Sequence, residues 1–260
     1  MNPSIRILAG IIPTFALLMA ACSSPQPNPT ATPLPATVPL PTASETSPPT
    51  ATRLPPTATP APTATATPYP VFWDDFSGSL QPVWTWIREN DALWSLDSQP
   101  GFLRIVLEGG QYHRNLLVRD VASINFQIMT HVLFEPTSNF QLAGLLVYQD
   151  DATMIKLGRA YCNVSGACVG NGIYFDKIES ASFAGPNFAT DTKLKGEAYL
   201  RIDKVGSLFT SYYSEDGANW QTIGQHEAFM TDPKVGLVAG QSNVIGATAL
   251  FDYFTLMEMP

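Results

Sequence analysis

The chain has 260 residues, of which 45% are hydrophobic and 14% are charged, and its formal net charge is −8. This length is sufficient for one or two domains with a hydrophobic core. An acidic chain with only 14 Lys and Arg residues lacks the basic surface that nucleic acids and anionic lipid headgroups attract. The composition therefore excludes nucleic acid as a partner and excludes an electrostatic membrane-binding patch.

Residues 1–22 have the layout of an export signal. Arg6 precedes an apolar run that begins at Ile7 and ends at Cys22, and Pro13 interrupts it. The run is shorter than the ~20 residues of a membrane-spanning helix. Its end, "LMAAC", resembles a bacterial lipobox, whose cysteine is lipidated and becomes the new N-terminus. We favour lipid attachment at Cys22 over an ordinary signal peptide with an incidental cysteine.

Residues 23–70 consist almost entirely of Pro, Thr, Ala and Ser. The segment has no apolar periodicity, so it cannot bury enough surface to offset its ordering entropy. Frequent proline favours an extended, disordered stalk, and its threonines could carry O-linked sugars. The expected product is a secreted protein that is lipid-anchored to the outer face of a bacterial membrane, with a folded domain at 71–260.

The two remaining cysteines, Cys162 and Cys168, lie in the segment "YCNVSGAC". Outside the cell a close pair is usually oxidised, so we predict a disulfide that holds a short loop, with two free thiols as the alternative. The loop is short, so the bond should contribute at the low end of ~2–4 kcal/mol. A metal site at this pair is not expected, because no second Cys pair or His cluster has a ligand spacing.

Beyond residue 70, apolar and polar residues alternate, which is the pattern of β-strands. In residues 124–134 the apolar side chains from Ile124 to Phe134 share one face, and Gln127 and His131 share the other. The same alternation occurs in 140–149, 198–203, 207–214 and 246–254.

Turn-forming residues separate these segments, and none of the segments has a convincing helical periodicity. The clearest hairpin is 211–220, where Gly217 supplies the turn conformation and Trp220 begins the return strand. About a dozen short strands predict an all-β fold of two antiparallel sheets packed as a sandwich.

Several motifs occur in an order that resembles a known family. They are "DDFSG", "PGFLRI", "AGLLVYQDD", "YLRID", "YYSEDGANW" and "ALFDYF". Over residues 73–258 the chain resembles the concanavalin A-like domain at the C-terminus of glycoside hydrolase family 43 β-xylosidases and the related DUF1349-like domains. The resemblance implies a jelly-roll sandwich of the lectin/glucanase type. In the β-xylosidases a separate propeller carries the chemistry, and this sequence has no counterpart of it, so the implied role is binding.

A hydrolase site within the sandwich is the least supported hypothesis. Laminarinase-like relatives of the fold carry a Glu-x-Asp-x-(x)-Glu strand, which is absent from this sequence. The acidic pairs at 74–75, 150–151 and 215–216 lie at strand ends or turns, where solvated caps are usual. No Gly-x-Ser-x-Gly elbow occurs. We therefore predict no enzyme activity and no catalytic residues.

Sugar binding requires aromatic rings for the apolar faces of a pyranose and polar side chains for its hydroxyl groups. The segment "YHRN", residues 112–115, places four such residues before an apolar strand. The predicted ligand-binding residues are Tyr112, His113, Arg114, Tyr148, Lys156 and Trp86, with Trp84, Arg88, Asn115 and Gln141 as further candidates.

Trp84 and Trp86 lie two residues apart, so in a strand both side chains point to one face. They form either an exposed platform for sugars or part of the core. Most aromatic residues of a sandwich point inward, so the sequence favours the core.

Asp252 alternates with apolar residues in the last strand and is expected to share their inward face. A structural Ca²⁺ could bridge it to Asp75 in the first strand, and no other cofactor is expected. The favoured alternative is that Asp252 caps a backbone amide or pairs with an arginine.

Three functions follow from these expectations. The leading one is a non-catalytic surface lipoprotein whose sandwich binds a polysaccharide or another glycan. The alternative is an envelope protein-interaction or structural module, and a glycoside hydrolase is third. Contact with the membrane is expected through the lipid anchor only.

Overall fold

The alternating C-terminal part forms β-strands in the computed structural model, which describes residues 70–109, 113–164, 168–240, 244 and 246–259. These residues belong to one unit of the chain, Pro62–Pro260. The signal with Cys22, the stalk up to residue 69, and Tyr112 lie outside the described residues. Within the described ranges the helical structure is one 3₁₀ turn at Asp91–Leu93, and no helix there is long and apolar enough to cross a membrane.

The described part of the chain contains sixteen strands. In chain order they are β1 (Pro70–Asp74), β2 (Thr85–Ile87), β3 (Trp94–Ser95), β4 (Leu103–Val106), β5 (Leu116–Asp120), β6 (Phe126–Leu133), β7 (Leu142–Asp150), β8 (Thr153–Cys162), β9 (Gly170–Glu179), β10 (Ser182–Phe183), β11 (Phe188–Asp191), β12 (Glu197–Val205), β13 (Leu208–Ser214), β14 (Gln221–Glu227), β15 (Lys234–Gly240) and β16 (Thr248–Glu258). The five segments with alternating sequences correspond to β6, β7, β12, β13 and β16, and the predicted all-β sandwich is confirmed.

The strands form two sheets of eight, and the recorded pairs are antiparallel. Sheet 1 has the order β14-β13-β12-β6-β16-β4-β3, and β1 also pairs with β16. Sheet 2 has the order β10-β9-β8-β7-β15-β5-β2, and β11 pairs with β9. The first and last strands are therefore neighbours, with Trp73 opposite Thr255.

One face of each sheet points into a shared hydrophobic core. In β12, Ala198, Leu200 and Ile202 belong to this core, whereas Tyr199 and Arg201 point to the opposite face because side chains alternate along a strand. We call the face of each sheet that points away from the core its outer face. Burial of each large apolar side chain contributes roughly 1.5–3 kcal/mol, which holds the two sheets together.

Trp84 lies in the core at the corner between β1 and β2. Its Nε1 donates a 2.7 Å hydrogen bond to Oδ2 of Asp74, a carboxylate that is itself buried. The other oxygen of Asp74 accepts the backbone N–H of Phe76, a fully buried residue with a φ of 55°. Trp86 packs against the same core and lies 4.9 Å from the ring of Trp94. Trp84 is therefore buried in the core, as the sequence favoured, whereas Trp86 is partly buried and packs against the core.

The predicted hairpin joins β13 to β14, although β14 begins one residue after Trp220. Oδ1 of Asp216 accepts the backbone N–H groups of Ala218 and Asn219, and Gly217 has a φ of 72°. This turn matches the expectation from the sequence.

The predicted disulfide is present. Cys162 ends β8 and bonds to Cys168 shortly before β9, with 5.2 Å between their Cα atoms. The bond therefore closes the connection between two neighbouring strands of sheet 2.

Two predicted side-chain orientations are wrong. Ile124 is 77% exposed, because the chain turns at Ser123–Asn125 and β6 begins only at Phe126. The register of β16 shifts between Phe251 and Tyr253, so that Phe251 and Phe254 both enter the core. Asp252 follows Phe251 and therefore points outward, with its side chain 44% exposed, and the bulge explains why it does not share the inward face of Phe254.

Candidate functional site

The outer face of sheet 2 is buried although it points away from the core. Leu116, Val118, Leu146 and Val238 are fully inaccessible there and form a second apolar cluster. Solvent-facing sides of antiparallel sheets are usually polar, so a buried outer face requires additional cover. The segments that contain Arg88 and His113 supply part of it, because both contact side chains of this face.

Lys156 lies at the centre of this apolar surface and is 1% exposed. Strand register places it between Leu146 of β7 and Asp176 of β9. Burial lowers the pKa of Lys156, and the negative charge of Asp176 opposes that shift. Burial also raises the pKa of Asp176, and the charge of Lys156 opposes it. The two groups are neighbours in a region where a single charge would be costly.

A hydrogen-bonded network adjoins Lys156. Both terminal nitrogens of Arg88 donate to the carboxylate of Asp151 at 2.9 Å, and Nε of Arg88 donates to the His113 carbonyl at 2.6 Å. Tyr148 donates from its hydroxyl to Asp151 at 3.1 Å, and Nζ of Lys156 lies 3.5 Å from Nε2 of His113. Burial, followed by the bond to Asp151, raises the pKa of Tyr148. We call these six residues the Lys156 cluster: Arg88, His113, Tyr148, Asp151, Lys156 and Asp176.

An exposed aromatic ring stands beside the cluster. Phe183 of β10 is 54% exposed, and the centre of its ring lies 5.8 Å from Nζ of Lys156. A partly exposed phenyl ring next to polar groups that solvent can reach, such as Arg88 and Asp151, is the combination that stacking on a sugar requires.

The structure brings together three of the predicted ligand-binding residues: His113, Tyr148 and Lys156. Arg114 instead pairs with Glu108 at 3.3 Å, and Trp86 packs against the core. Tyr112 lies outside the described residues.

Two further candidates have structural partners. Oε1 of Gln141 accepts the backbone N–H groups of Thr137 and Ser138, and Oδ1 of Asn115 accepts that of Asn90. Both side chains therefore fix loops.

Sequence reasoning missed Asp151, Asp176 and Phe183. The sequence places Asp151 in a solvated turn, but Arg88, 63 residues away in the chain, brings it into the network. Asp176 is identified only by its cross-strand register with Lys156. Phe183 did leave a signal, since it is a lone aromatic residue within the small-residue segment "ASFAG".

The calcium hypothesis remains a prediction. Oδ1 of Asp75 accepts the backbone N–H of Ser77, and Asp252 bonds to His131 at 3.1 Å. Among the residues that the structure describes, no group of three or more His, Cys, Asp or Glu side chains is arranged to hold a metal ion.

The two antiparallel sheets define a concanavalin A-like domain. The chain belongs to the family of β-xylosidase C-terminal concanavalin A-like domains, whose sequence profile matches residues 73–256. The matched part is the C-terminal domain of those enzymes. No curated protein matches the sequence.

Solved structures of glycoside hydrolase family 43 proteins share this fold. The BlXynB protein from Bacillus licheniformis is 22% identical, with a TM-score of 0.64 over 72% of this chain and 39% of its own. A xylan β-1,4-xylosidase from Bacillus halodurans is 20% identical, with a TM-score of 0.62 over the same shares, 72% and 39%. A Bacteroides ovatus xyloglucan-locus protein, GH43B, is 21% identical, with a TM-score of 0.63 over 76% and 41%. The chain thus spans about two fifths of these proteins.

Proposed function

We propose that this protein is a non-catalytic surface lipoprotein whose sandwich binds a polysaccharide at the Lys156 cluster. The observation that carries the proposal is the exposed Phe183 ring beside a polar cluster in which the side chains of Arg88 and Asp151 remain 30% and 39% exposed. Sugars present both apolar C–H faces and hydroxyl groups, so a binding site needs these two kinds of surface together.

The polar groups of the cluster are held in place before any ligand binds. The two-pronged pairing of Arg88 with Asp151 fixes both side chains, and Tyr148 is bonded to the same carboxylate. Preorganised side chains lose little conformational entropy on binding, which favours affinity for a weakly interacting ligand such as a glycan.

The sequence of residues 1–70 is consistent with this role. A lipid at Cys22 and an extended stalk would hold the domain at a distance from the membrane, where polysaccharides are accessible. Related structures include a xylan β-1,4-xylosidase, so xylan is the first glycan to test.

Retention of the full chain, in detergent, on native gels cast with xylan and other polysaccharides tests the proposal. We expect xylan to retard the protein and Phe183→Ala to weaken the interaction at least tenfold, about 1.4 kcal/mol. Phe229→Ala is the matched control, because Phe229 is 82% exposed and lies outside the cluster. If no glycan in the panel retards the protein, the proposal is wrong.

A protein partner is the second candidate function, and a separate surface favours it. Ile124, Val205, Leu208 and Phe229 are 77%, 56%, 39% and 82% exposed. These residues lie in or beside three connections: the one before β6, the one between β12 and β13, and the one after β14. Hydrogen bonds from the N–H of Gly206 to Asn125 and from the N–H of Ala228 to the Ser207 carbonyl bring the three connections together at one end of the sandwich. Exposed apolar patches of this kind often mark protein interfaces. Binding of an envelope protein that Phe229→Ala abolishes and Phe183→Ala leaves intact would support this function.

A further inference from the structure

The outer face of sheet 1 carries a row of aromatic rings that the Lys156 cluster does not include. Strand register aligns Tyr253 with His131, and His131 with Tyr199. Trp73 of β1 adjoins this row, and its ring stacks on Tyr253 with 5.0 Å between centres and 12° between planes. The rings of His131 and Tyr199 stack at 4.0 Å and 6°. We call Trp73, Tyr253, His131 and Tyr199 the ring stripe.

The ring stripe crosses four adjacent strands. At about 4.8 Å between neighbouring strands, β1, β16, β6 and β12 together place the rings over roughly 14 Å. This is long enough to contact more than one sugar ring of a linear chain. Trp73 at one end is 52% exposed, so it offers an open ring face.

Hydrogen bonds hold the middle of the ring stripe in one orientation. Nδ1 of His131 lies 3.1 Å from Asp252, and Nε2 lies 3.1 Å from Glu197. Each stacked pair covers one face of each of its rings, and His131 is 8% exposed, so the free aromatic surface consists of ring edges and the outer face of Trp73. These rings are held rigidly, and little entropy is lost when a ligand packs on them.

Polar side chains flank the rings on both sides. Glu197 and Asp252 are 43% and 44% exposed and can accept hydrogen bonds from hydroxyl groups. On the other side Arg201 pairs with Asp203, and its guanidinium lies 4.6 Å from the ring centre of Tyr212. Rings bordered by acceptors and a guanidinium match the alternating C–H faces and hydroxyl groups of a pyranose chain.

The negative charge of this face favours some polysaccharides over others. Three carboxylates, of Glu197, Asp252 and Asp203, lie close to the rings, together with the guanidinium of Arg201. The whole chain also carries a net charge of −8. A polymer of acidic sugars would be repelled, whereas a neutral chain would not.

We propose that the ring stripe on sheet 1 is a second glycan-binding surface, specific for neutral polysaccharides. The open face of Trp73 can stack on an apolar face of a sugar ring, and Glu197 and Asp252 can accept hydrogen bonds from its hydroxyl groups. The surface lies on the opposite sheet from the Lys156 cluster, so either one can bind without the other.

The test compares retention of the full chain on neutral linear xylan and on polygalacturonate. We expect xylan to retain the protein and Trp73→Ala to weaken that retention about tenfold. Tyr199→Leu, at the other end of the ring stripe, should have a similar effect, and Phe229→Ala should have none. Urea midpoints confirm that each variant is folded.

Phe183→Ala separates this inference from the proposed function. If Phe183→Ala removes all binding and neither Trp73→Ala nor Tyr199→Leu changes it, the ring stripe binds no glycan. If the ring-stripe variants lose binding and Phe183→Ala does not, the second surface stands and the Lys156 cluster fails. Equal retention on polygalacturonate, or no retention on xylan, would overturn the inference.

Discussion

Replacing Trp84 by Phe should destabilise the domain far more than the smaller volume of the phenyl ring alone suggests. The substitution removes the 2.7 Å bond from Nε1 to Asp74 and leaves a carboxylate that is 3% exposed with one partner fewer. A hydrogen bond to a charged group contributes ~1.5–3 kcal/mol, and the smaller ring leaves a gap that costs roughly 1 kcal/mol more. A total of about 3 kcal/mol would lower the melting temperature by roughly 6–12 °C in a domain of this size.

Urea unfolding followed by far-UV circular dichroism measures this loss, because the free energy falls linearly with denaturant. Trp86→Phe is the matched control: it makes the same chemical change two residues away, where no hydrogen bond from Nε1 is recorded among the described residues. If Trp84→Phe costs no more than Trp86→Phe, the bond to Asp74 does not stabilise the corner.

Three further predictions concern stability. Replacing Cys162 and Cys168 by Ser should lower the free energy of unfolding by about 2 kcal/mol, because the loop is short, and reductant should then have no further effect in urea unfolding. Burial lowers the pKa of His226 from 6.5; the hydrogen bond to the Phe175 carbonyl opposes this shift, and the charge of Lys177 adds to it. The stability from neutral His226 is therefore present above pH 6.5 and is lost as the pH falls through the lower folded pKa. Urea midpoints measured from pH 7 downward should decline less steeply in His226→Gln, and an identical decline would contradict this. Thr255→Val removes a buried hydroxyl that has no partner among the described residues, so it should raise the free energy of unfolding by about 1 kcal/mol or less, seen as a slightly higher thermal midpoint. A clear loss would show that the hydroxyl is bonded.

The candidate sites show where sequence reasoning reaches its limit. Tyr148 and Lys156 were predicted from residue type, and the structure places both in one cluster. Asp176 could not be paired with Lys156 in advance, because a one-residue slip of β9 against β8 would place it on the core face. The ring stripe was missed for the same reason, since its members come from four strands that are distant in sequence.

The sequence by itself determined the strands and the fold class. Alternation in 124–134 and 198–203 depends only on which side chains face the core, and that preference is local and repeats every second residue. Strand pairing, bulges and corners depend on contacts between distant segments, and these decided the orientation of Asp252 and the partner of Asp74. Asp252 follows the core residue Phe251 and so points outward, toward His131, and the bulge puts it out of phase with Phe254, because an extra residue resets the alternation of the side chains that follow.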